Sequence, residues 1–287
     1  MRRIARTPAS SANLGPGFDA LAVALSLHIE VEVAERPGGL VVRAEGEGAH
    51  LATGESHLAA RVVREVLGHE DFEVTVRSDI PVARGLGSSA ALAVAASAAA
   101  GAKDPFAYGC AVDGHPENAA ASAMGGLVTA ALLDRGPVAR RLHLDPSLRF
   151  VVLVPDRELS TAAARQALAP EVAHADAAFN LSRMGLMVAG LADHRLLVPE
   201  AGDDRLHQTA RSALFPESRE LLAYLREAGA LTSCWSGAGP CLLGVCARDA
   251  ACSVADKARA RMRDLGVPGR ALVLDADMEG TQVRVVR

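Results

Sequence analysis

Lysine is nearly missing from this chain of 287 residues: Lys103 and Lys257 are the only two, and every other of the 30 basic residues is arginine. That leaves little room for a lysine-centred phosphate site or a Schiff base. No Gly-Lys-Ser/Thr occurs anywhere, which excludes a P-loop. Aromatic residues make up only 3%, too few for modules that stack single-stranded bases. A net charge of −4 and a pI near 6.1 speak against nucleic-acid or anionic-membrane partners. The five cysteines, at 110, 234, 241, 246 and 252, form no CxxC and keep no zinc-like spacing to histidine. An odd count without a secretory signal fits reduced thiols in a cytoplasm. Arg2 and Arg3 precede the apolar stretch 20–27, but Pro8, Gly15, Pro16, Gly17 and Asp19 intervene, so that stretch reads as a strand. The run of small residues at 90–102 falls short of the ~20 needed to cross a bilayer.

What is present is alanine, 57 residues of it, in a chain that is 50% hydrophobic with a mean hydropathy of +0.17. The core is therefore aliphatic, with closely packed helices, and the length suits one large domain or two ordinary ones. Strands are expected at 3–8, 20–35, 72–77, 127–133 and 149–154, where β-branched residues cluster or alternate with polar ones. Arg36-Pro37-Gly38-Gly39 reads as a turn, with 40–44 as the returning strand. Helices are expected at 56–67, 88–100, 105–112, 116–124, 160–168, 171–191, 216–228 and 249–263. Further strands fall at 231–235, 241–246, 270–275 and 281–286. Strand and helix mix without strict alternation, which favours an α+β class. A domain boundary is expected near Asp145-Pro146-Ser147, with no linker and so a broad interface. No internal repeat is visible.

The most informative stretch is Pro81-Val-Ala-Arg84-Gly85-Leu86-Gly87-Ser88-Ser89-Ala90-Ala91. Gly85 and Gly87 allow positive φ and close approach to a ligand. Ser88 and Ser89 open a helix whose free N–H groups make an anion site, with Ala90 and Ala91 keeping bulk away. Backbone would then hold a triphosphate without lysine. Gly85, Gly87 and Ala90 also fit the dinucleotide pattern GxGxxA, but Asp79-Ile80-Pro81 separates them from the preceding strand. The plain alternative is a helix cap after a flexible loop.

Two further segments decide between these readings. Pro8-Ala-Ser-Ser-Ala-Asn13-Leu-Gly-Pro-Gly-Phe18-Asp19 and Ser236-Gly237-Ala238-Gly239-Pro240, together with 81–91, resemble the three motifs of the GHMP superfamily of small-molecule kinases. The pattern looks most like that of the homoserine kinases. Gly114-His115-Pro116-Glu117-Asn118, Leu159-Ser160-Thr161-Ala-Ala-Ala-Arg165 and Leu206-His207-Gln208-Thr209-Ala210-Arg211 carry that finer resemblance. It implies a ribosomal-protein-S5-domain-2-like N-terminal domain over 1–146 and a ferredoxin-like domain over 147–287. It also implies a substrate cleft between them and phosphorylation of the homoserine hydroxyl by ATP, on the route to threonine.

The residues fit that chemistry. An amino-acid substrate needs an anion for its ammonium, which Asp19 supplies, and cations for its carboxylate, which Arg165 and Arg211 supply as bidentate forks. Asn13, His115 and Asn118 can hydrogen-bond and orient the hydroxyl end. The resemblance puts Asn13, Asn118, Thr161 and Arg165 in the catalytic set. It assigns ATP to Pro81, Arg84 through Ala91, Gly237, Ala238 and Gly239. It assigns Mg2+ to Ser89 and Asp113, a position where glutamate is usual. Asn118 is an amide and cannot take a proton, so the resemblance implies catalysis by positioning and charge stabilisation. His207 is expected to support or pack.

Taken singly, each residue has a plainer role. Asp19 and Asn13 suit turns, and Arg165 and Arg211 suit a solvated helix face. Departures from the pattern are Glu117 for aspartate, Thr209-Ala210 for Pro-Tyr, and Ser56-His57 where an asparagine is common near adenine. The partners expected are homoserine and ATP, with no nucleic acid and no membrane; a homodimer stays open. The rivals are a GHMP kinase acting on another small alcohol, a nicotinamide oxidoreductase using 85–90, and a silent regulatory binder.

Overall fold

The computed structural model describes residues 2–51 and 54–286. The chain opens with β1 (Arg2–Ala12), β2 (Leu21–Glu35) and β3 (Val41–Gly46), then α1 (Leu58–Leu67) and β4 (Phe72–Ser78). Three helices follow: α2 (Ser88–Ala100), α3 (Pro105–Asp113) and α4 (Glu117–Met124). Next come β5 (Leu127–Leu133), β6 (Gly136–Leu142) and β7 (Leu148–Pro155), then α5 (Thr161–Gln166), α6 (His174–Ala192), α7 (Gln208–Arg211) and α8 (Ser218–Ala228). The chain finishes with β8 (Thr232–Trp235), β9 (Leu242–Ala247), α9 (Ala251–Asp264), β10 (Gly269–Leu274) and β11 (Gln282–Val286).

The strands form two sheets. The first has seven strands ordered β11-β1-β2-β4-β3, with β5 paired to the start of β2 and β6 paired to β5. The second is antiparallel, ordered β10-β7-β9-β8, which is the ferredoxin-like order. One buried cluster joins them: Val23, Leu25 and Ala91 of the first half share it with Phe150, Val152, Leu243 and Leu274 of the second.

Helix α2 is the pillar of the first half. Ten of its thirteen residues are buried, eight of them alanine, and it packs on β1, β2, α1, α3 and α4. Small side chains are what let so many neighbours approach one helix. The opposite sheet face carries arginine–glutamate pairs such as Arg2–Glu32, Arg77–Glu30 and Arg43–Glu73.

Two expectations change. The strand after the Arg36–Gly39 turn does not return along β2; β3 pairs in parallel with β4, and α1 supplies the crossover. The last strand does not stay with the ferredoxin-like half: β11 crosses back to pair antiparallel with β1, from Arg2↔Val286 to Arg6↔Gln282. No helix among the described residues is long and apolar enough to cross a membrane.

Candidate active site

A cleft of about 450 Å3 lies where the sequence motifs meet. Its walls include Asn13, Asp19, residues 81–89, Asp113, His115, Glu117, Asn118, Thr161, Arg165, Arg211, Gly237 and Ala238. Segments more than 200 residues apart in sequence are in direct contact there. Asn13 Nδ2 donates to the Gly237 carbonyl at 2.9 Å, and Gly237 N–H donates to the Ala12 carbonyl at 2.9 Å. Ser236 Oγ donates to the Gly85 carbonyl at 2.7 Å.

The backbone is most constrained along this cleft. Asn13, Leu14, Asp19 and Ala83 are the four non-glycine residues with positive φ among the described residues, and all lie in the first two motifs. Left-handed backbone of that kind costs energy and collects at functional sites. Gly85, at φ 79°, is obligatory for packing as well, because a Cβ there would run into the Ser236 carbonyl oxygen.

Gly87 (φ 65°) forms the N-cap of α2 without any side-chain cap, and the first helical bond is Ala91 N–H to Gly87 O. The N–H groups of Ser88, Ser89 and Ala90 therefore start the helix without intrahelical partners, an anion-binding terminus. A Cβ on Gly87 would meet Ser10 Oγ and Asn118 Oδ1, so the turn is pressed against the strand and helix that carry Asn118.

Asn118 Oδ1 accepts from Ser10 Oγ at 2.9 Å. That bond fixes the amide so that its Nδ2 end is the one left to donate. Asp113 accepts a hydrogen bond from Ser89, and burial pushes its carboxyl up to about 6. A hydroxyl and a carboxylate in contact are oxygen donors of the kind Mg2+ takes, so the expected pair fits that ion. His115 Nδ1 lies 3.0 Å from Glu117 Oε1, and burial of His115 is outweighed by the Glu117 bond and charge, which raise its pKa. Glu117 is 1% exposed, and its Oε2 has no hydrogen-bond partner among the described residues. Asp19, His115 and Glu117 bring their polar atoms within 4.8 Å of one another.

Arg165 grips Asp19 with both forks, Nη2 to Oδ1 at 2.7 Å and Nη1 to Oδ2 at 3.1 Å. The expected anion and cation of the amino-acid clamp thus neutralise each other in the free protein. Arg211 is 2% exposed, and burial lowers its pKa to about 10. Both guanidiniums lie over the ring of Phe18, at 5.6 Å and 5.5 Å from its centroid.

Some expected residues make contacts of another kind. Arg84 donates to backbone, Nε to Pro155 O, Nη2 to Asp156 O and Nη1 to Val82 O, and its Nη1 also lies 3.4 Å from Glu158 Oε1. It ties the glycine turn to the end of β7. Ala90 and Ala91 have no exposed surface and pack beneath the helix start, and Gly239 lies behind the cleft against the Trp235 ring. His115 brings its ring nitrogens close to the carboxylates of Glu117 and Asp19, in the same cleft wall as Asn118. Sequence reasoning missed Phe18, the role of Glu117, and Ser160, which lines the cleft and caps α5 by accepting from Ala163 N–H at 3.1 Å; Phe18 and Ser160 stood inside quoted motifs, and only their contacts give them work.

A second cavity of about 260 Å3 adjoins the first and shares Val82, Ser88 and Ser89 with it. Leu51, Leu58, Val76 and Leu92 make it apolar, with His57 at its edge. His57 Nδ1 accepts from Ala59 N–H, capping α1, and burial lowers its pKa.

Comparison with known proteins agrees with this arrangement. Residues 51–126 match the GHMP kinases N terminal domain, and residues 187–264 match the GHMP kinases C terminal domain. A homoserine kinase of Rhodococcus opacus is 40% identical over 84% of this chain and 86% of its own. One of Corynebacterium aurimucosum is 42% identical over 83% and 84%. The crystal structure of homoserine kinase from Cytophaga hutchinsonii superposes with a TM-score of 0.88 at 25% identity, covering 99% of this chain and 97% of that one.

Proposed function

The chain belongs to the GHMP kinases, and from that premise we propose that it phosphorylates the side-chain hydroxyl of L-homoserine with ATP, giving O-phospho-L-homoserine. The observation that carries this reading is one cleft holding two opposed chemistries. At one end the open N-terminus of α2 offers backbone N–H groups to phosphate. At the other, Asp19, Glu117, Arg165 and Arg211 offer both signs of charge to an amino acid.

Each end has its task. The substrate carboxylate takes the place of Asp19 on Arg165 and meets Arg211. The ammonium takes Asp19 and Glu117. Asn118 Nδ2 donates to the hydroxyl oxygen and aims it; an amide cannot take the proton, which passes to the transferred phosphoryl group. Thr161 and Asn13 shape the pocket around the substrate. The nucleoside of ATP fits the adjoining apolar cavity, past Ser88 and Ser89. Ser89 and Asp113 would hold Mg2+, which supplies charge neutralisation between the phosphates. Catalysis here is alignment and electrostatics. All five cysteines are free thiols, as a reducing cytoplasm would keep them.

A coupled ADP-release assay against hydroxyl amino acids and isoprenoid alcohols tests the reading. Homoserine is expected to be the preferred acceptor; mevalonate outperforming it would overturn the amino-acid clamp. Tight NAD binding without ATP turnover would sink the kinase reading itself. Arg165→Ala should lose roughly 2–5 kcal/mol in kcat/KM for homoserine, the scale of a lost charge partner.

A further inference from the structure

His207 lies outside the cleft wall, yet it is 1% exposed and bonded on both ring nitrogens. Nε2 is 2.8 Å from the Gly15 carbonyl oxygen, which can only accept. Nδ1 is 3.0 Å from Arg211 Nη1, which can only donate. The two partners leave one arrangement: Nε2 carries the hydrogen and Nδ1 is bare. The ring is neutral, and burial lowers its pKa to about 4.

Asp204 is the neighbouring carboxylate, 3.8 Å from Nε2, but it needs no imidazolium. Its oxygens already accept from the backbone N–H groups of Leu206, His207 and Gln208 and from Asn180 Nδ2. A proton on Nδ1 would instead press two cations together at Arg211. The ring is also stacked on Phe18, with centroids 5.2 Å apart and planes 27° apart.

Arg211 is held at three points: His207 Nδ1, Gly237 O at 2.9 Å and Ala164 O at 3.5 Å. The bonds to protein use Nη1 and Nε, and Nη2 makes none among the described residues. His207 is the one side chain among these acceptors. We propose that His207 is a positioning residue: as its Nε2–H tautomer it fixes the guanidinium of Arg211 for the carboxylate of the amino-acid substrate. It does so while tied to Gly15, so the loop that carries Asp19 and the cation that completes the clamp keep one registration. The inference rests on the homoserine reading for its substrate, and on the two hydrogen bonds for its geometry.

Kinetics of His207→Phe and His207→Asn, with L-homoserine and its methyl ester as acceptors, test it. Phenylalanine keeps the stack on Phe18 and removes both nitrogens. Asparagine also loses Gly15, but its Oδ1 lies near the place of Nδ1 and can accept from Arg211. His207→Phe should raise the homoserine KM about tenfold or more, and leave the KM values of the ester and of ATP within about twofold. His207→Asn should restore the homoserine KM to within about threefold of the parent protein. Equal losses on homoserine and ester, or indistinguishable Phe and Asn variants, would overturn the proposal. Nitrogen-15 shifts of the His207 ring in the unmodified protein read the tautomer without any substrate. A protonated Nε2 with a bare Nδ1 between pH 5 and pH 8 supports it, and a proton on Nδ1, with or without one on Nε2, overturns it even if a variant fails to fold. Failure of the parent protein to phosphorylate homoserine would instead count against the substrate assignment, with the ring shifts still deciding the hydrogen bonding.

Discussion

Asp113, as the proposed carboxylate for Mg2+, would trade stability for that task. Its carboxyl titrates near 6 in the folded chain against 3.8 for an ordinary aspartate, with burial as the main cause. The folded state therefore holds its proton more tightly than the unfolded one. The stability this confers is full below about pH 4 and is lost as the pH rises through 6. Activity should run the other way, because only the ionised carboxylate can serve a cation. Asp113→Asn is expected to match or exceed the parent in melting temperature at pH 7, while turnover collapses and the acid limb near pH 6 disappears. A pH–rate profile beside a thermal melt checks both halves. A family resemblance could nominate such residues, but their partners were not legible in the sequence. The grip of Arg165 on Asp19 spans 146 positions, and the loss of Arg84 to two carbonyls near 155 depends on how two sheets meet. No local pattern encodes either.

At the scale of elements, periodicity carried the reading far. The alternation in β2 and the alanine run of α2 placed both within a residue or two. Pairing was less legible. A turn after β2 suggested a hairpin, yet Val42 and Ala44 pair with Val74 and Val76 of β4, because α1 in between allows a parallel crossover. β6 went unread since Gly136-Pro137 and two arginines look like loop, and only its ladder to β5 makes it a strand. Helix α2 yields a prediction of its own. Ala95 has no exposed surface and sits in the cluster shared by the two sheets. Ala95→Leu should cost about 1–3 kcal/mol by overpacking. Urea unfolding measures this, and an unchanged midpoint would mean that the helix can shift as a body.

For the whole molecule, the question is what keeps the two sheets in one relative position over the cleft. The shared apolar cluster spans both, and Arg84 adds a polar tie from the glycine turn to β7 and the residue after it. Arg84→Ala should therefore raise the KM for ATP several-fold and speed amide exchange over residues 83–87, with kcat little changed. A collapse of kcat with unaltered exchange would instead place the guanidinium on the phosphates. The exchange of the final strand was not legible in the sequence: β11 is five residues with every side chain exposed, and nothing in it names its partner.

The pairing of β1 with β11 also sets two segments from opposite halves of the chain side by side. Arg2 faces Val286 across one antiparallel ladder, a separation of about 5 Å between Cα atoms. A short glycine–serine bridge from Val286 to Arg2 should therefore span the gap without strain, and new ends could open at the exposed Pro37-Gly38 tip. Such a circular permutant is expected to fold and to keep its turnover, as an ADP-release assay would show. The order in which the motifs leave the ribosome would then change, while the cleft that they build would not.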